Sequence, residues 1–310
     1  MIKKTLYFGN PACLSLAAKQ LIIRQPSTRQ HPDPSEEPAN EVVRTIPIED
    51  IAVVVLDHYK ITITQALLAA LLDSKVAVVT CNEKRLPAGL LLNLAANSVQ
   101  NERFRRQIEA SQPLLKQLWQ QTVRAKIYNQ ASILAHQNKN AATALQRMAE
   151  SVRSGDPDNL EAQAAAHYWK HIFPQLPDFK RQREGLPPNN LLNYGYAILR
   201  AVIARALTSS GLLPVYGIHH HNRYNDYCLA DDIMEPYRPF VDKLVIDVMQ
   251  RMDVEENLNL ELKREMLNIP VIDVKIGNKH SPLMVAAAQT TASLAKCFAG
   301  EIRKITYPAA

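Results

Sequence analysis

Glycine is scarce in this chain of 310 residues: there are nine, and none between positions 97 and 154. That shortage, beside many Ala, Leu and Gln, leans the chain towards helix. No apolar run approaches the roughly 20 residues needed to span a bilayer, so no membrane-spanning helix is expected. The opening MIKKTLYFGN has Lys3 and Lys4 but no following apolar stretch of about 7–15 residues, so it does not read as a secretory leader. Cysteine is limited to Cys13, Cys81, Cys228 and Cys297, without a C-x-x-C pair. This spacing supports neither a cysteine zinc site nor a disulfide framework, and it fits a reducing cytoplasm. Internal repeats and low-complexity tracts are absent as well.

With 47% hydrophobic and 21% charged residues, the composition is that of a globular protein. The length exceeds that at which a single core usually stops growing, which predicts two domains. The net charge of +6 is unevenly placed. Residues 1–94 carry ten basic against nine acidic side chains, 95–200 fourteen against eight, and 201–310 twelve against thirteen. The surplus therefore belongs to the middle segment. A solvated basic face would account for it, and so would a surface that holds a polyanion.

Apolar periodicity changes along the chain. Short β-branched runs at 4–8, 15–17, 21–24, 41–46, 51–56 and 75–80, with a helix at 64–72, predict a small β-rich domain over 1–94. The four prolines within 26–41 predict a mobile loop. From residue 95 onward helical spacing dominates, with helices expected at 102–112, 114–137, 140–152, 158–173, 190–209 and 229–252. Asp156 is the expected N-cap of the fourth, with Pro157 in its first position. Pro239 is expected to kink the last. The fold class is thus α+β, a β-rich N-terminal domain followed by a larger all-helical domain over 95–310.

Chemistry-bearing residues gather in two places. Glu161 lies about one turn into an alanine-rich helix, Glu-Ala-Gln-Ala-Ala-Ala-His; alone, it reads as an ordinary first-turn acid favoured by the helix dipole. The segment 217–239 holds His219, His220 and His221, then Asp231, Asp232 and Glu235. Asp232 and Glu235 share a helix face at i, i+3. Three consecutive histidines diverge too much for all to bind one ion. One imidazole with two carboxylates suits a hard or borderline divalent cation such as Mg²⁺ or Mn²⁺.

Several stretches resemble the CRISPR-associated integrase family, the catalytic subunit of the spacer-acquisition complex, and most closely its type II members. They are Ile46-Pro-Ile-Glu-Asp-Ile-Ala52, the helix after Glu161, Leu192-Asn-Tyr-Gly-Tyr-Ala-Ile-Leu199, Gly217-Ile-His-His, and Leu229-Ala-Asp-Asp-Ile-Met-Glu-Pro-Tyr-Arg-Pro239. In that family a Gly-x-x-His is followed fifteen residues later by an acidic residue. Here that step joins His220 to Glu235, with Gly217 at the matching offset, and passes over His219 and His221. The loop 26–41 is longer than the family's usual turn.

The resemblance implies a metal-dependent DNA integrase that inserts short fragments into a repeat array by attack of a 3′-hydroxyl on a phosphodiester. It implies Glu161, His220 and Glu235 as metal ligands, with Asp232 and Arg238 supporting them. Arg103, Arg105, Arg106, Arg124, Lys126, Arg181, Arg183 and Arg223 are the expected phosphate contacts. The β-rich domain would dimerise the protein. A small ferredoxin-like CRISPR-associated protein, an effector nuclease and a DNA-end-binding protein are the implied partners. A nuclease that hydrolyses branched or single-stranded DNA, or a non-catalytic DNA-binding scaffold, are the alternative readings.

Overall fold

The structure, a computed structural model, describes residues 3–25, 42–182 and 185–310. The chain divides into two compact units, residues 1–94 and 95–310. The first is rich in strands and the second in helices, which makes the fold mixed α+β.

The first unit contains β1 (Lys4–Phe8), β2 (Ala12–Ala17), β3 (Gln20–Gln25), β4 (Val42–Pro47), β5 (Ile51–Leu56), β6 (Ile61–Ile63), α1 (Gln65–Asp73), β7 (Ala77–Cys81) and β8 (Pro87–Leu91). They build two four-stranded sheets, ordered β1-β5-β7-β8 and β4-β3-β2-β6. Strand β5 runs Ile-Ala-Val-Val-Val-Leu between parallel partners β1 and β7, and Ile51 through Val55 are all buried. Such a strand is apolar on both faces and needs no alternation. Leu14, Leu21, Val54 and Val78 share one core cluster with Leu67 and Leu71 of α1. Thr64 starts that helix by accepting the Leu67 amide at 3.3 Å. Apolar periodicity predicts neither β6 nor β8. The first is three residues long, and the second begins with Pro87 at a sheet edge, where a missing N–H costs no ladder bond. The loop expected at 26–41 lies outside the described residues.

The second unit contains α2 (Gln100–Ile108), α3 (Gln112–Ala135), α4 (Lys139–Ser151), α5 (Leu160–His171), α6 (Asn189–Ser209), α7 (Cys228–Met234), α8 (Arg238–Met249), α9 (Leu260–Met266), β9 (Asp273–Ile276), β10 (Lys279–Pro282), α10 (Leu283–Phe298) and β11 (Pro308–Ala309). Helix α3 is its spine. Leu118, Trp119, Thr122, Val123, Lys126, Ile127 and Asn129 recur at helical spacing on its buried face. Helices α4, α5 and α8, the 3-10 turn Glu235–Tyr237 and β11 pack against it.

Three expectations are corrected. The unit is not all-helical, because β10-β9-β11 form a small antiparallel sheet. Val274 and Ile276 alternate inward there, and Gly277 turns the hairpin at φ +58°. The helix expected at 229–252 is divided into α7, the 3-10 turn and α8, with Pro236 and Pro239 each in the first turn of its element. A proline there removes an N–H that would have had no partner. Finally, Pro157 precedes α5 rather than opening it, and the residue at the cap is Asn159 in the left-handed region. No helix of the described residues is long and apolar enough to cross a membrane.

Candidate active site

Asp156 sets the start of α5 from outside the helix. Its carboxylate accepts the amides of Leu160 and Glu161, both at 2.9 Å, so it satisfies two first-turn donors from upstream of the cap. Glu161 therefore stands in the first turn of α5, at the positive end of the helix dipole. Lys126 reaches the same point from α3. Its Nζ donates to Glu161 Oε1 and lies 2.6 Å from Glu235 Oε2, which comes from the 3-10 turn. Arg238 Nη2 approaches the other oxygen of Glu235, Oε1, at 3.1 Å. Two carboxylates thus face two cations, and the side chains of Lys126 and Glu235 are each only 8% exposed. Glu235 Oε2 is a buried oxygen with no aligned hydrogen-bond donor.

Charge inside this cluster is strongly coupled. Burial alone would lower the Lys126 pKa, but Glu235 and Glu161 outweigh it and hold the ammonium above its usual range. Burial would likewise raise that of Glu235, and Arg238 and Lys126 reverse it. Both groups remain ionised in contact.

The three histidines have three different settings, and Asp232 of α7 is the reason. Its Oδ2 accepts the amides of Ile218 at 2.8 Å and His219 at 2.9 Å, while Oδ1 lies 2.5 Å from His220 Nδ1. A Cβ at Gly217 would sit 2.3 Å from the His220 carbonyl and 2.8 Å from Asp232 Oδ2, so this turn requires glycine. The hydrogen bond to Asp232 raises the His220 pKa against the effect of burial. It also leaves Nε2 as the ring nitrogen free of that contact. His219 stacks flat on Trp119 of α3, with centroids 4.1 Å apart. Burial and the neighbouring His220 lower its pKa. His221 is exposed and meets Tyr216 edge-on at 6.4 Å.

Behind Arg238 lies a second buried group. Tyr196 OH donates to Asp242 Oδ1 at 2.5 Å and Tyr168 OH to Oδ2 at 3.1 Å. Burial pushes the Asp242 pKa up to about 7, against the pull of both tyrosines and of Arg181 and Arg238. The guanidinium groups of Arg238 and Arg181 lie 4.9 and 5.2 Å from the Tyr196 ring centroid.

Among the described residues, no three His, Cys, Asp or Glu side chains form a ready-made metal cluster. The structure joins Glu161 to Glu235 through Lys126, and His220 to Asp232, with His220 in electrostatic reach of both glutamates. The donor set of two carboxylates and an oriented imidazole nevertheless fits a hard or borderline divalent ion. The buried Oε2 of Glu235, which meets the Lys126 ammonium without an aligned hydrogen bond, is consistent with that fit.

The expected phosphate contacts separate into groups. Arg105, Arg106 and Arg223 are exposed, Arg106 paired with Glu102 and Arg223 over the Tyr224 ring at 4.5 Å. Arg124 is half-buried. Arg103 and Arg181 direct donors at the protein, to the Ser210 carbonyl at 2.7 Å and to Asn193 Oδ1 at 2.6 Å. Lys126 is corrected out of the phosphate-binding set, because it is buried between Glu161 and Glu235. Arg183 lies outside the described residues. The sequence reading missed Lys126 as a member of the site. The available signal was its place on the buried stripe of α3, three residues after Val123.

A family model described as CRISPR associated protein Cas1 matches residues 7–267. The CRISPR-associated endonuclease Cas1 of Neisseria meningitidis serogroup C is 36% identical over 294 residues, covering 94% of this chain and 91% of that protein. A solved casposase bound to integration product superposes with a TM-score of 0.75 at 20% identity, over 98% of this chain and 92% of the other. A chain of a Cas6-RT-Cas1–Cas2 complex gives 0.73 at 20% identity, over 97% of this chain and 35% of that one. At such identities the two structures speak for the fold alone.

Proposed function

This chain belongs to the Cas1 family of CRISPR-associated proteins, and from that premise we propose how its own residues carry out the family's chemistry. The chain is an enzyme of the CRISPR-associated endonuclease Cas1 family, and the proposed activity is that of the integrase of CRISPR adaptation. The observation that carries the residue-level reading is the meeting of Glu161 and Glu235 at one cation position, beside a histidine held by Asp232.

Cas1 endonucleases are generally metal-dependent. Glu161, Glu235 and Nε2 of His220 are the proposed ligands, and Mg²⁺ or Mn²⁺ the proposed ion. When bound, the ion would polarise a phosphodiester oxygen and lower the pKa of an attacking hydroxyl. Asp232 keeps the His220 ring in one orientation and one tautomer. Arg238 neutralises the outer oxygen of Glu235 and fixes the turn that carries it. Arg105, Arg106, Arg124 and Arg223 are proposed to hold DNA phosphates near the site, positioning the strands without reading sequence.

In the proposed reaction the 3′-oxygen of a short fragment bonds to a phosphorus at the repeat boundary, and the 3′-oxygen of the cleaved repeat strand leaves. One phosphodiester forms as one breaks, with no covalent enzyme intermediate. The unit 1–94 is proposed to dimerise the protein, and 95–310 to hold catalysis and DNA. Cas2, which shares a complex with one structural relative, is the proposed small ferredoxin-like partner. An effector nuclease and an end-binding protein would complete a type II assembly in the cytoplasm.

The test supplies a duplex with 3′-hydroxyl ends, a supercoiled repeat plasmid, Mg²⁺ or Mn²⁺, and the small partner. Covalent joining is expected, and Glu161→Ala should abolish it while leaving DNA binding intact. Products that are only nicked or shortened would favour hydrolysis, and no product would favour the scaffold reading.

A further inference from the structure

Lys126 stands where the packing of α3 calls for an apolar side chain. Thr122, Val123 and Ile127 share its buried face, and burying an ammonium there carries a desolvation penalty. Its contacts supply the reason. The single Nζ atom touches one oxygen of Glu161 and one of Glu235, two acids 74 positions apart in sequence that would otherwise repel each other. Including Arg238 on the far oxygen of Glu235, the cluster is electrically balanced without any added ion.

We propose that Lys126 is an internal counter-ion that holds Glu161 and Glu235 together in the ion-free protein and yields its place between them when a divalent cation enters. The inference rests on the ligand assignment made above. Of the two cations, Lys126 is the one able to move. Arg238 is a planar fork with one end on Glu235 Oε1 and its guanidinium over Tyr196, whereas a lysine stem has several rotatable bonds and a compact head. A divalent ion at the same oxygens repels the ammonium, so metal binding is an exchange of counter-ions. The carboxylates are then kept in position at all times, and the ion's affinity is reduced by the tethered competitor.

The experiment measures Mn²⁺ affinity from the free-ion paramagnetic resonance signal, together with Tm with and without Mn²⁺, on the full chain without DNA. In Lys126→Met, the ion-free Tm should fall and recover with Mn²⁺, and Mn²⁺ should bind roughly tenfold more tightly or better. Lys126→Arg keeps the charge and should bind Mn²⁺ no more tightly than the wild type. His220→Ala should bind it more weakly. If Lys126→Met binds Mn²⁺ no tighter than the wild type, the exchange is refuted and the ligand set stands. Insolubility of that variant even with Mn²⁺ present refutes it as well, because the ion then fails to replace the ammonium. If the wild type binds no Mn²⁺, or His220→Ala binds it equally well, the ligand assignment itself falls.

Discussion

Asp232 grips His220 twice over: Oδ1 lies 2.5 Å from the ring Nδ1, and both carboxylate oxygens lie 3.4 Å from the His220 backbone amide. The same side chain takes the amides of Ile218 and His219. It therefore sets both the path of the loop and the direction of the imidazole. Asp232→Asn keeps the size but loses the charge and one acceptor. Mn²⁺ affinity and the rate of strand joining should each fall about 10–100-fold. Unchanged values in both assays would detach Asp232 from the function of His220.

Gly217 closes that loop at a spacing no side chain tolerates. In Gly217→Ala the loop must shift, and joining should be lost while the far-ultraviolet circular dichroism stays helical. A fully active variant would mean that the loop adapts without moving His220.

Asn129 ties three segments together. Its Nδ2 donates to the carbonyls of Pro236 at 2.7 Å and Pro308 at 3.0 Å, and its Oδ1 accepts the Ala310 amide at 3.0 Å. The turn carrying Glu235 is thereby braced by the segment that ends in β11. Asn129→Ala removes the donor from the buried carbonyls of Pro236 and Pro308 and should cost about 1–3 kcal/mol, read by urea denaturation.

Asp242 gives a pH signature. It faces Tyr168 from α5, Tyr196 from α6, Arg181 from the preceding loop and Arg238 from its own helix. Its carboxyl sits near 7 when folded and near 3.8 as an ordinary group. The folded state holds the proton more tightly, so this contribution is full at low pH. It is lost as pH rises from about 4 through about 7. The loss is on the order of a few kcal/mol. Asp242→Asn should flatten the fall in unfolding free energy across this window. Parallel profiles for the two proteins would show that Asp242 titrates normally.

The β-rich start and helical remainder are legible in the sequence, because β5 is an unbroken apolar run and α3 and α6 repeat at helical spacing. Other features were hidden for definite reasons. Strands β9 and β10 are four residues each, too short for periodicity to separate from loop. Asp156 acts on the helix from before its cap, outside the usual spacing. Lys126 is 35 residues from Glu161 and 109 from Glu235, so only the tertiary packing of α3 reveals their closure. In sequence it is one basic residue among many in the middle segment, which is why the expectation for it is a phosphate contact.

Arg105 and Arg223 are exposed, while Arg103 is bound to the Ser210 carbonyl. Arg105→Ala and Arg223→Ala should each weaken duplex binding to all sequences alike. Each should also reduce the slope of log affinity against log salt by about 1. Arg103→Ala should act on Tm instead. A sequence-dependent loss from Arg105→Ala would contradict a phosphate role.

The flat stack of His219 on Trp119 makes the site optically addressable. The chain has two tryptophans, and the other, Trp169, lies among Tyr168, Phe173 and Phe179. Trp119 is 3% exposed under the loop that bears His220. Any event that lifts this loop uncovers one indole and shifts its emission to the red, while Trp169 stays constant. With Trp169→Phe the remaining fluorescence reports on a single place, and loop movement can be timed by stopped flow in the unlabelled protein.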